Sequence, residues 1–466
     1  MENPSPTNVV PRYSYYALAV LTLINFLNYI DRQVLPGVAS LMTKDPHLRL
    51  TDTELGMLEG ALLLSYTVLA PIFGRLGDRF SRTKLMAAAA VIWSLATGVV
   101  GFIDHLPFLP AAVALPFATV SGAAIAMALM RAVVGVGESS YATITPTLVA
   151  DYFPARKRAT ALGVFQAAIP MGFALGFVIG GVLGAYFGWR VAFMMVGIPG
   201  LLMSVLVWKL KEPLRGGTDV DAHGDPLPPV DPDAPRESWF KVAWRILRTR
   251  DWLLSTAGYA ALTSVLGAFA SYAQLLLVRD KGMSDGAASV VLGVVILLGG
   301  AAGTFSGGWI ADKVAARRKN GYWLVCAASC LLGFAPALVA VVSGNTYLYL
   351  PAIFLAVMFL FINNAPFHAI LINSVPATIR ASAVALNIVV IHAFGDLLTR
   401  TGVGFLSDTL KDGGLAPLAS LAGLVGLNAQ AQHLSAALLV APAGLLLACA
   451  FFVIGAKQLN AEARTQ

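Results

Sequence analysis

Eight ionisable side chains lie inside long apolar stretches of this 466-residue chain: Asp31, Arg32, Arg131, Glu138, Asp396 and Arg400, with His368 and His392. Each costs about 2.5–3.5 kcal/mol to place at mid-membrane depth on insertion scales, so it persists where it faces a cavity or finds a partner. Asn25, Asn28 and Asp31 recur every third residue, and Arg32 follows Asn28 by four, which makes a polar stripe on one helix face. Arg131 and Glu138 are seven apart, two helical turns, and Tyr141 and Thr145 continue their face. Desolvation favours the neutral form of a carboxylate, and a neighbouring guanidinium favours the charged form. A carboxylate that changes its arginine partner between two conformations can therefore load and release a proton. The pattern points to proton coupling by Asp31, Glu138 and Arg131. Arg32 would grip an anionic head group, because guanidinium binds phosphate in a bidentate way. The same pairs would also serve as static salt bridges between two helices, or as substrate contacts without coupling. Asp396 and Arg400, four apart, read as a structural pair, and His392 as a satisfied interior histidine. His368, beside Asn363, Asn364 and Phe367, reads as cavity-lining.

These residues need a scaffold that holds them at membrane depth. Hydrophobic residues make up 57% of the chain and charged ones 12%, against about 25% charged in soluble domains. Apolar runs fall at about 15–41, 55–74, 84–104, 114–150, 159–187, 190–210, 252–278, 286–310, 321–343, 346–373, 381–405 and 432–456. Each is long enough to cross a bilayer, so an all-α membrane protein of twelve transmembrane helices is expected. Pro107, Pro110 and Pro116 predict a loop or partial helix ahead of the fourth span, which should start near Phe117. The first run is too long for a signal-peptide core and is predicted to remain as a span. Cys326, Cys330 and Cys449 have no metal-ligand spacing and read as packing residues, so no metal or cofactor is expected.

Lys and Arg accumulate on cytoplasmic loops. The loops after even-numbered spans, with the central connection, hold 20 of them, against 6 on the loops between an odd span and the next even one. Both termini are therefore expected in the cytoplasm, with a bacterial inner membrane as the expected location. Residues 216–235 are rich in Pro, Asp and Gly and predict a flexible linker. Residues 237–249 alternate Trp239, Phe240, Val242, Ala243, Ile246 and Leu247 with Lys241, Arg245 and Arg248, the spacing of an amphipathic helix on the inner membrane surface. The expected domains are a six-helix bundle over 1–210, a cytoplasmic linker over 211–250, and a second six-helix bundle over 251–466.

The halves repeat each other. Gly74-Arg-Leu-Gly-Asp78-Arg79 follows the second span, and Gly308-Trp-Ile-Ala-Asp312-Lys313 follows the eighth. Pro154-Ala-Arg-Lys-Arg158-Ala-Thr-Ala follows the fourth, and Pro376-Ala-Thr-Ile-Arg380-Ala-Ser-Ala the tenth. Duplicated halves in a membrane chain indicate a secondary transporter that rocks one half against the other.

The segment from Gly74 to Lys84 resembles the signature loop of the major facilitator superfamily, with Ser81 where that loop often has a second glycine. Arg131-Ala-Val-Val-Gly135-Val-Gly137-Glu138 resembles the superfamily's helix-4 motif. Gly188-Trp-Arg190-Val-Ala-Phe resembles the usual start of its helix 6. More narrowly, Asn25-Phe-Leu-Asn28-Tyr-Ile-Asp31-Arg32, Leu69-Ala-Pro71 with the loop after it, and Val136-Gly137-Glu138-Ser-Ser-Tyr141-Ala-Thr143-Ile-Thr-Pro146 resemble the spinster family. That resemblance is dense over about 20–180. It implies the two-bundle fold, helices 1 and 4 lining a central cavity, and an amphiphilic lipid of lysophospholipid or sphingoid phosphate type as substrate. It also implies that Gly74, Asp78, Arg79, Arg82, Asp312 and Lys313 latch the halves together in the outward-open state. In helix 5, Gly172, Gly176, Gly180 and Gly181 permit close helix approach, while Pro170 only partly matches the superfamily's antiporter motif.

The second half offers mostly uncharged polar and aromatic side chains, including Asn363, Asn364, Phe367 and His368, so charge is expected on the first-half wall alone. Substrate contacts are expected from Arg32, Asn28, Tyr141, Thr145 and that second-half group. A small organic anion or drug-like molecule would also suit such a cavity. No nucleotide-binding loop or hydrolase motif occurs, which excludes an ATP-driven pump and argues against an enzyme. A monomer that moves its cargo together with protons, with no nucleic-acid partner, is the expectation.

Overall fold

The computed structural model describes residues 10–48, 50–103, 112–114, 119–153, 155–214, 238–375 and 379–465. The expected linker over 216–235 lies outside them, as do Pro107, Pro110, Pro116 and Phe117. Six long helices come first: α1 (Arg12–Lys44), α2 (Asp52–Arg79), α3 (Arg82–Val100), α4 (Gly122–Tyr152), α5 (Ala155–Phe187) and α6 (Trp189–Trp208). A short surface helix, α7 (Trp239–Leu247), precedes the second half. That half comprises α8 (Arg250–Arg279), α9 (Asp285–Ala315), α10 (Gly321–Val342), α11 (Thr346–Ile362) with α12 (Asn364–Asn373), α13 (Arg380–Ile391) with α14 (Leu397–Lys411), α15 (Ala416–Leu424), and α16 (His433–Leu438) with α17 (Val440–Thr465).

Eleven helical stretches among the described residues are long and apolar enough to cross a membrane. The polar-striped α1, 33 residues long, brings the number to the twelve expected. One boundary differs. Two short antiparallel strands, β1 (Ala112–Ala114) and β2 (Thr119–Ser121), occupy the start of the fourth apolar run. The helix begins only at Gly122, where the Ser121 hydroxyl accepts from the Ala124 amide at 3.1 Å.

Glu54 binds two helix starts together. One carboxylate oxygen accepts from the Thr51 amide at 2.8 Å, completing a capping box at α2, and the other accepts from the Ser121 amide at 2.6 Å. Asp45, in the turn after α1, accepts from Arg190 Nη1 at 2.7 Å and Trp189 Nε1 at 2.9 Å, fixing that turn to the start of α6. Partial burial raises its pKa, but the bonds from Arg190, Trp189 and the His47 amide outweigh it and hold the carboxyl down at about 2.

Within the first half, the glycines of α5 pack on α1. A Cβ at Gly176 would stand 2.7 Å from the Ile30 carbonyl oxygen and 2.6 Å from the Gln33 Cβ, and one at Gly172 would stand 2.8 Å from the Phe26 carbonyl. Further along, Gly181 lies against Ser289 of α9, so the same stripe reaches the second half. Small residues that admit a neighbouring backbone are how helices associate in lipid.

Gly176→Leu is expected to lower the thermal midpoint of the detergent-solubilised protein by several degrees, since overpacking costs about 1–3 kcal/mol. Gly98→Ala, where a Cβ meets nothing within 4 Å, should leave it unchanged. Asp45 carries a second expectation. Its folded pKa lies below the unfolded value of about 4, so its contribution is present above pH 4 and is lost as pH falls towards 2. The thermal midpoint of the wild type should therefore fall more steeply on acidification than that of Asp45→Asn.

Candidate functional site

All of the named ionisable residues except His368 gather in one interior region between the helices. Asp31 is buried, and one carboxylate oxygen accepts from the Thr97 hydroxyl at 2.6 Å. Its other oxygen faces Arg131 Nη1 at 3.7 Å. Arg131 is fully buried, and none of its guanidinium nitrogens makes a hydrogen bond among the described residues. Its Nη2 faces Glu59 Oε1 at 3.7 Å. Glu138 accepts from Arg32 Nε at 2.6 Å, and the Arg32 guanidinium lies over the rings of Tyr29 and Tyr66, 5.2 and 4.8 Å from their centroids. Adjacent in sequence, Asp31 and Arg32 thus point to different partners, one towards α3 and Arg131, the other towards Glu138 and Tyr66.

The second half contributes charge of its own, which corrects the expectation of a charged wall confined to the first half. Arg400 of α14 donates to Glu59 Oε2 at 2.7 Å and to Ser271 Oγ at 3.0 Å. The i,i+4 pair with Asp396 exists, but at 3.9 Å it is the longer contact. Asp396 instead approaches His392 Nδ1 at 3.1 Å. His392–Asp396 form a single π-helical turn between α13 and α14, a distortion that is frequent at functional sites. The Thr263 hydroxyl donates to the Ile391 carbonyl at 3.2 Å beside it. Tyr66 meets the His392 ring edge-on, with centroids 5.7 Å apart, and so stands between His392 and Arg32.

Glu59 had escaped sequence reasoning. It lies near the start of the apolar run 55–74, close to the acidic Asp52 and Glu54 that precede the run, and is absent from the eight residues named above. Its signal was its setting, one carboxylate between Leu58 and Gly60 in an otherwise apolar run.

Among the residues expected to touch substrate, Arg32 belongs to the cluster, and Asn28 is buried in α1 with no partner for its side-chain nitrogen among the described residues. Tyr141 and Thr145 do not line the cavity described below. The Tyr141 hydroxyl donates to the Leu21 carbonyl, its ring packs edge-on against Trp93, and the Thr145 hydroxyl returns to the Tyr141 carbonyl at 2.8 Å. Both are fully buried helix contacts. Asn363 is likewise buried, donating to Ser329 Oγ at 2.8 Å. Phe367 is buried and stacked on Tyr259 at 3.7 Å. Asn364 accepts from the Tyr259 hydroxyl at 3.0 Å. His368 is exposed, with Nδ1 beside the Asn364 carbonyl at 2.9 Å.

Beside the cluster lies a cavity of about 250 Å³ between α5, α8, α9, α11 and the π turn. Its walls are apolar, with Phe173, Phe177, Leu266 and Phe361 among them, and its polar end is formed by His392, Asp396 and Arg400.

A second cluster closes the end of the molecule where α1 leads into α2. Asp52 receives Arg279 at 2.7 and 3.0 Å and the Ser407 hydroxyl at 2.7 Å. Asp408 of α14 accepts from the Thr53 amide at 2.7 Å and hydroxyl at 2.6 Å, and from the Asp52 amide at 3.3 Å. The second half thereby caps a helix of the first. Gly56 completes the junction, since a Cβ there would stand 2.9 Å from the Thr401 Cα.

The duplicated loops at the opposite end bond differently. Arg82 donates to Asp151 at 2.6 Å within the first half and to Glu212, in the connection just after α6, at 2.7 Å. Burial works against the Glu212 charge, but Arg82 holds its pKa below the ordinary range. Asp312 accepts from Tyr322 at 3.2 Å, and Lys313 lies 3.6 Å from the centroid of the Trp309 ring, both within the second half. A Cβ at Gly74 would meet nothing within 4 Å. The side chains of Asp78 and Arg79 lie outside the described residues.

Residues 21–399 match the family model of the Major Facilitator Superfamily. The chain is 33% identical over 427 residues to protein spinster homolog 1 of Homo sapiens, which covers 87% of this chain and 75% of that protein. It is 30% identical over 423 residues to protein spinster homolog 3 of Danio rerio, covering 88% and 80%. The fold is similar to the crystal structure of a bacterial homolog of the human lysosomal transporter Spinster, inward-facing and unoccupied, with TM-score 0.74 and 21% identity over 97% of this chain and 98% of that one. A D-xylose-proton symporter shares the fold at TM-score 0.65 and 16% identity over 93% and 97%. The charged mid-depth cluster and the two six-helix halves thus stand in a multi-pass transporter, not an enzyme: the chain belongs to the Major Facilitator Superfamily and, within it, to the spinster family.

Proposed function

We propose that this chain is a proton-coupled carrier of an amphiphilic lipid, of lysophospholipid or sphingoid phosphate type, working by alternating access. The observation that carries the reading is the cavity: an apolar chamber whose one polar end is a guanidinium with its carboxylate and imidazole neighbours. Such a space suits a single acyl or alkyl chain tipped by a phosphate better than it suits a wholly polar solute, which would leave its hydroxyls unpaired against apolar walls.

Charge balance supports proton coupling. The mid-depth network holds four carboxylates (Asp31, Glu59, Glu138, Asp396) and three guanidiniums (Arg32, Arg131, Arg400). With the His392 imidazole beside Asp396 taken as neutral, one negative charge is left over in a region that solvates charge poorly, and one proton, on a carboxylate or on that imidazole, settles it. Asp31, Arg131 and Glu138 are the coupling residues in this reading, with Glu59 added. Arg32 and Arg400 are positioned to exchange a carboxylate for a lipid phosphate.

The conformation fits one stage of the cycle. With the charge-based orientation, both termini are cytoplasmic, and the Asp52–Arg279–Asp408 junction seals the far side. Asp312 and Lys313 make their described contacts within the second half, and a Cβ at Gly74 would meet open space, as in a released cytoplasmic latch. This is the arrangement of an inward-facing carrier. The domains are a first bundle ending near residue 210, a connection to 250, and a second bundle, and the chain acts as a monomer.

In proteoliposomes with an interior pH dye, adding lysophospholipid or sphingoid phosphate is expected to drive a proton flux. Glu138→Gln should abolish that flux. A flux that survives the substitution would make Glu138 structural, and a response to small organic anions but not to lipids would replace the lipid reading. The junction has its own test. A cysteine placed at Ala270, inside the cavity, should react slowly with a membrane-impermeant maleimide from the far side. Adding Asp408→Asn removes charge-assisted bonds worth about 1–2 kcal/mol and should raise that rate roughly tenfold.

A further inference from the structure

The surface helix α7 divides its circumference three ways. At about 100° per residue, Trp239, Val242, Ala243 and Ile246 share one side. Val242 and Ile246 are buried there, in the same core as Trp252 and Ala383. The next sector holds Leu247, Phe240 and Trp244, which are 37%, 81% and 59% exposed. The third holds Arg248, Lys241 and Arg245, all exposed. An ordinary surface helix has one apolar face and turns the remainder to water. This one has a second apolar strip that no part of the described chain covers, bordered along its length by cations.

Its position says what covers the strip. α7 ends at Leu247, and the first span of the second half begins at Arg250. The helix is therefore held at the level where that span leaves the bilayer. Aromatic side chains concentrate at this level, and basic stems lie along apolar surface while their heads reach phosphate. Arg248 already lies over the Trp244 ring, 5.0 Å from its centroid, at the seam between the two sectors.

We propose that α7 is a docking strip for the anionic surface of the adjacent leaflet. Phe240, Trp244 and Leu247 enter the acyl boundary, and Lys241, Arg245 and Arg248 bind the phosphates of anionic headgroups. A neutral membrane would satisfy the apolar strip alone. The cationic strip beside it adds selectivity for negative lipid, because each basic side chain near a charged leaflet gains from its potential. This inference needs only the membrane setting of the fold and is independent of the cargo.

The test uses the full chain in vesicles of phosphatidylcholine with an equal fraction of brominated phosphatidylcholine or brominated phosphatidylglycerol. The signal is the tryptophan fluorescence lost on Trp244→Phe. Brominated phosphatidylglycerol is expected to quench this component about threefold more than brominated phosphatidylcholine, with the preference falling as salt rises. In the triple variant K241Q/R245Q/R248Q the two lipids should quench equally. These side chains are exposed, so an unchanged gel-filtration profile is expected for every variant. A Trp244 component quenched by neither lipid would overturn the proposal, placing the strip in water or against a second protein. Equal quenching in the wild type would overturn the headgroup selectivity.

Discussion

A buried guanidinium surrounded by protein needs negative charge close by, and Arg131 sets that requirement for the whole structure. It has no hydrogen bond among the described residues, and Asp31 and Glu59 stand on either side at the same 3.7 Å. Removing either carboxylate would leave the guanidinium with a single facing carboxylate, and removing both would leave its charge uncompensated in a low-dielectric interior. Asp31 is held in turn by Thr97 on α3, and Glu59 by Arg400 in the second half. One side chain on α4 therefore specifies partners on α1, α2 and, through Glu59, α14. The helices must pack so that these groups meet, and the glycines at Gly56, Gly172 and Gly176 let the backbones come close enough.

The same arrangement makes the two halves interdependent. α2 and α14 touch at two depths. At the far end Asp408 caps the start of α2, and at mid-depth Arg400 holds Glu59, two turns further along the same pair of helices. Separating the far ends draws α14 from α2 and strains both contacts together. Cost at one depth is thus felt at the other, which in the proposed mechanism couples a gate to a binding site. The π turn just beyond Arg400 gives α13 and α14 a place to adjust their relative rotation without breaking the helix.

Much of this was legible in the sequence. Apolar runs and basic loops gave the spans, and the polar stripe of α1 with the Arg131–Glu138 spacing gave the first-half cluster. Helical periodicity places residues on a face of their own helix, but it does not say which neighbour that face meets. Tyr141 and Thr145 share a face with Glu138, yet they are spent on Leu21, Trp93 and each other. Asp396 and Arg400 satisfy an i,i+4 rule, yet Arg400 makes its short bond with Glu59, 341 residues away. The cap that Asp408 places on α2 has no local sequence signature, because the motif is completed by another half of the chain. The Arg400–Glu59 bond and the Asp408 cap need both halves in place, whereas the places of Tyr141 and Thr145 are decided by neighbouring helices within the first half.

The charge count bears on the order of events in transport. An anionic phosphate entering a site with four carboxylates and three guanidiniums would raise the surplus from one negative charge to two. Arg32 or Arg400 can bind that phosphate only by loosening Glu138 or Glu59, and the displaced carboxylate then has no cation. Protonating it removes the conflict. In the proposed mechanism, cargo and proton therefore favour each other's binding in the same conformation, and each is released more readily once the other has left. A phosphocholine headgroup is net neutral and would relieve part of the demand, whereas a sphingoid phosphate stays net negative because its monoester carries about −1.5 to −2 against one ammonium. Sphingoid phosphates should then depend more steeply on protons than phosphocholine lipids, a ranking that follows from the electrostatics of the cluster and not from the shape of the cavity.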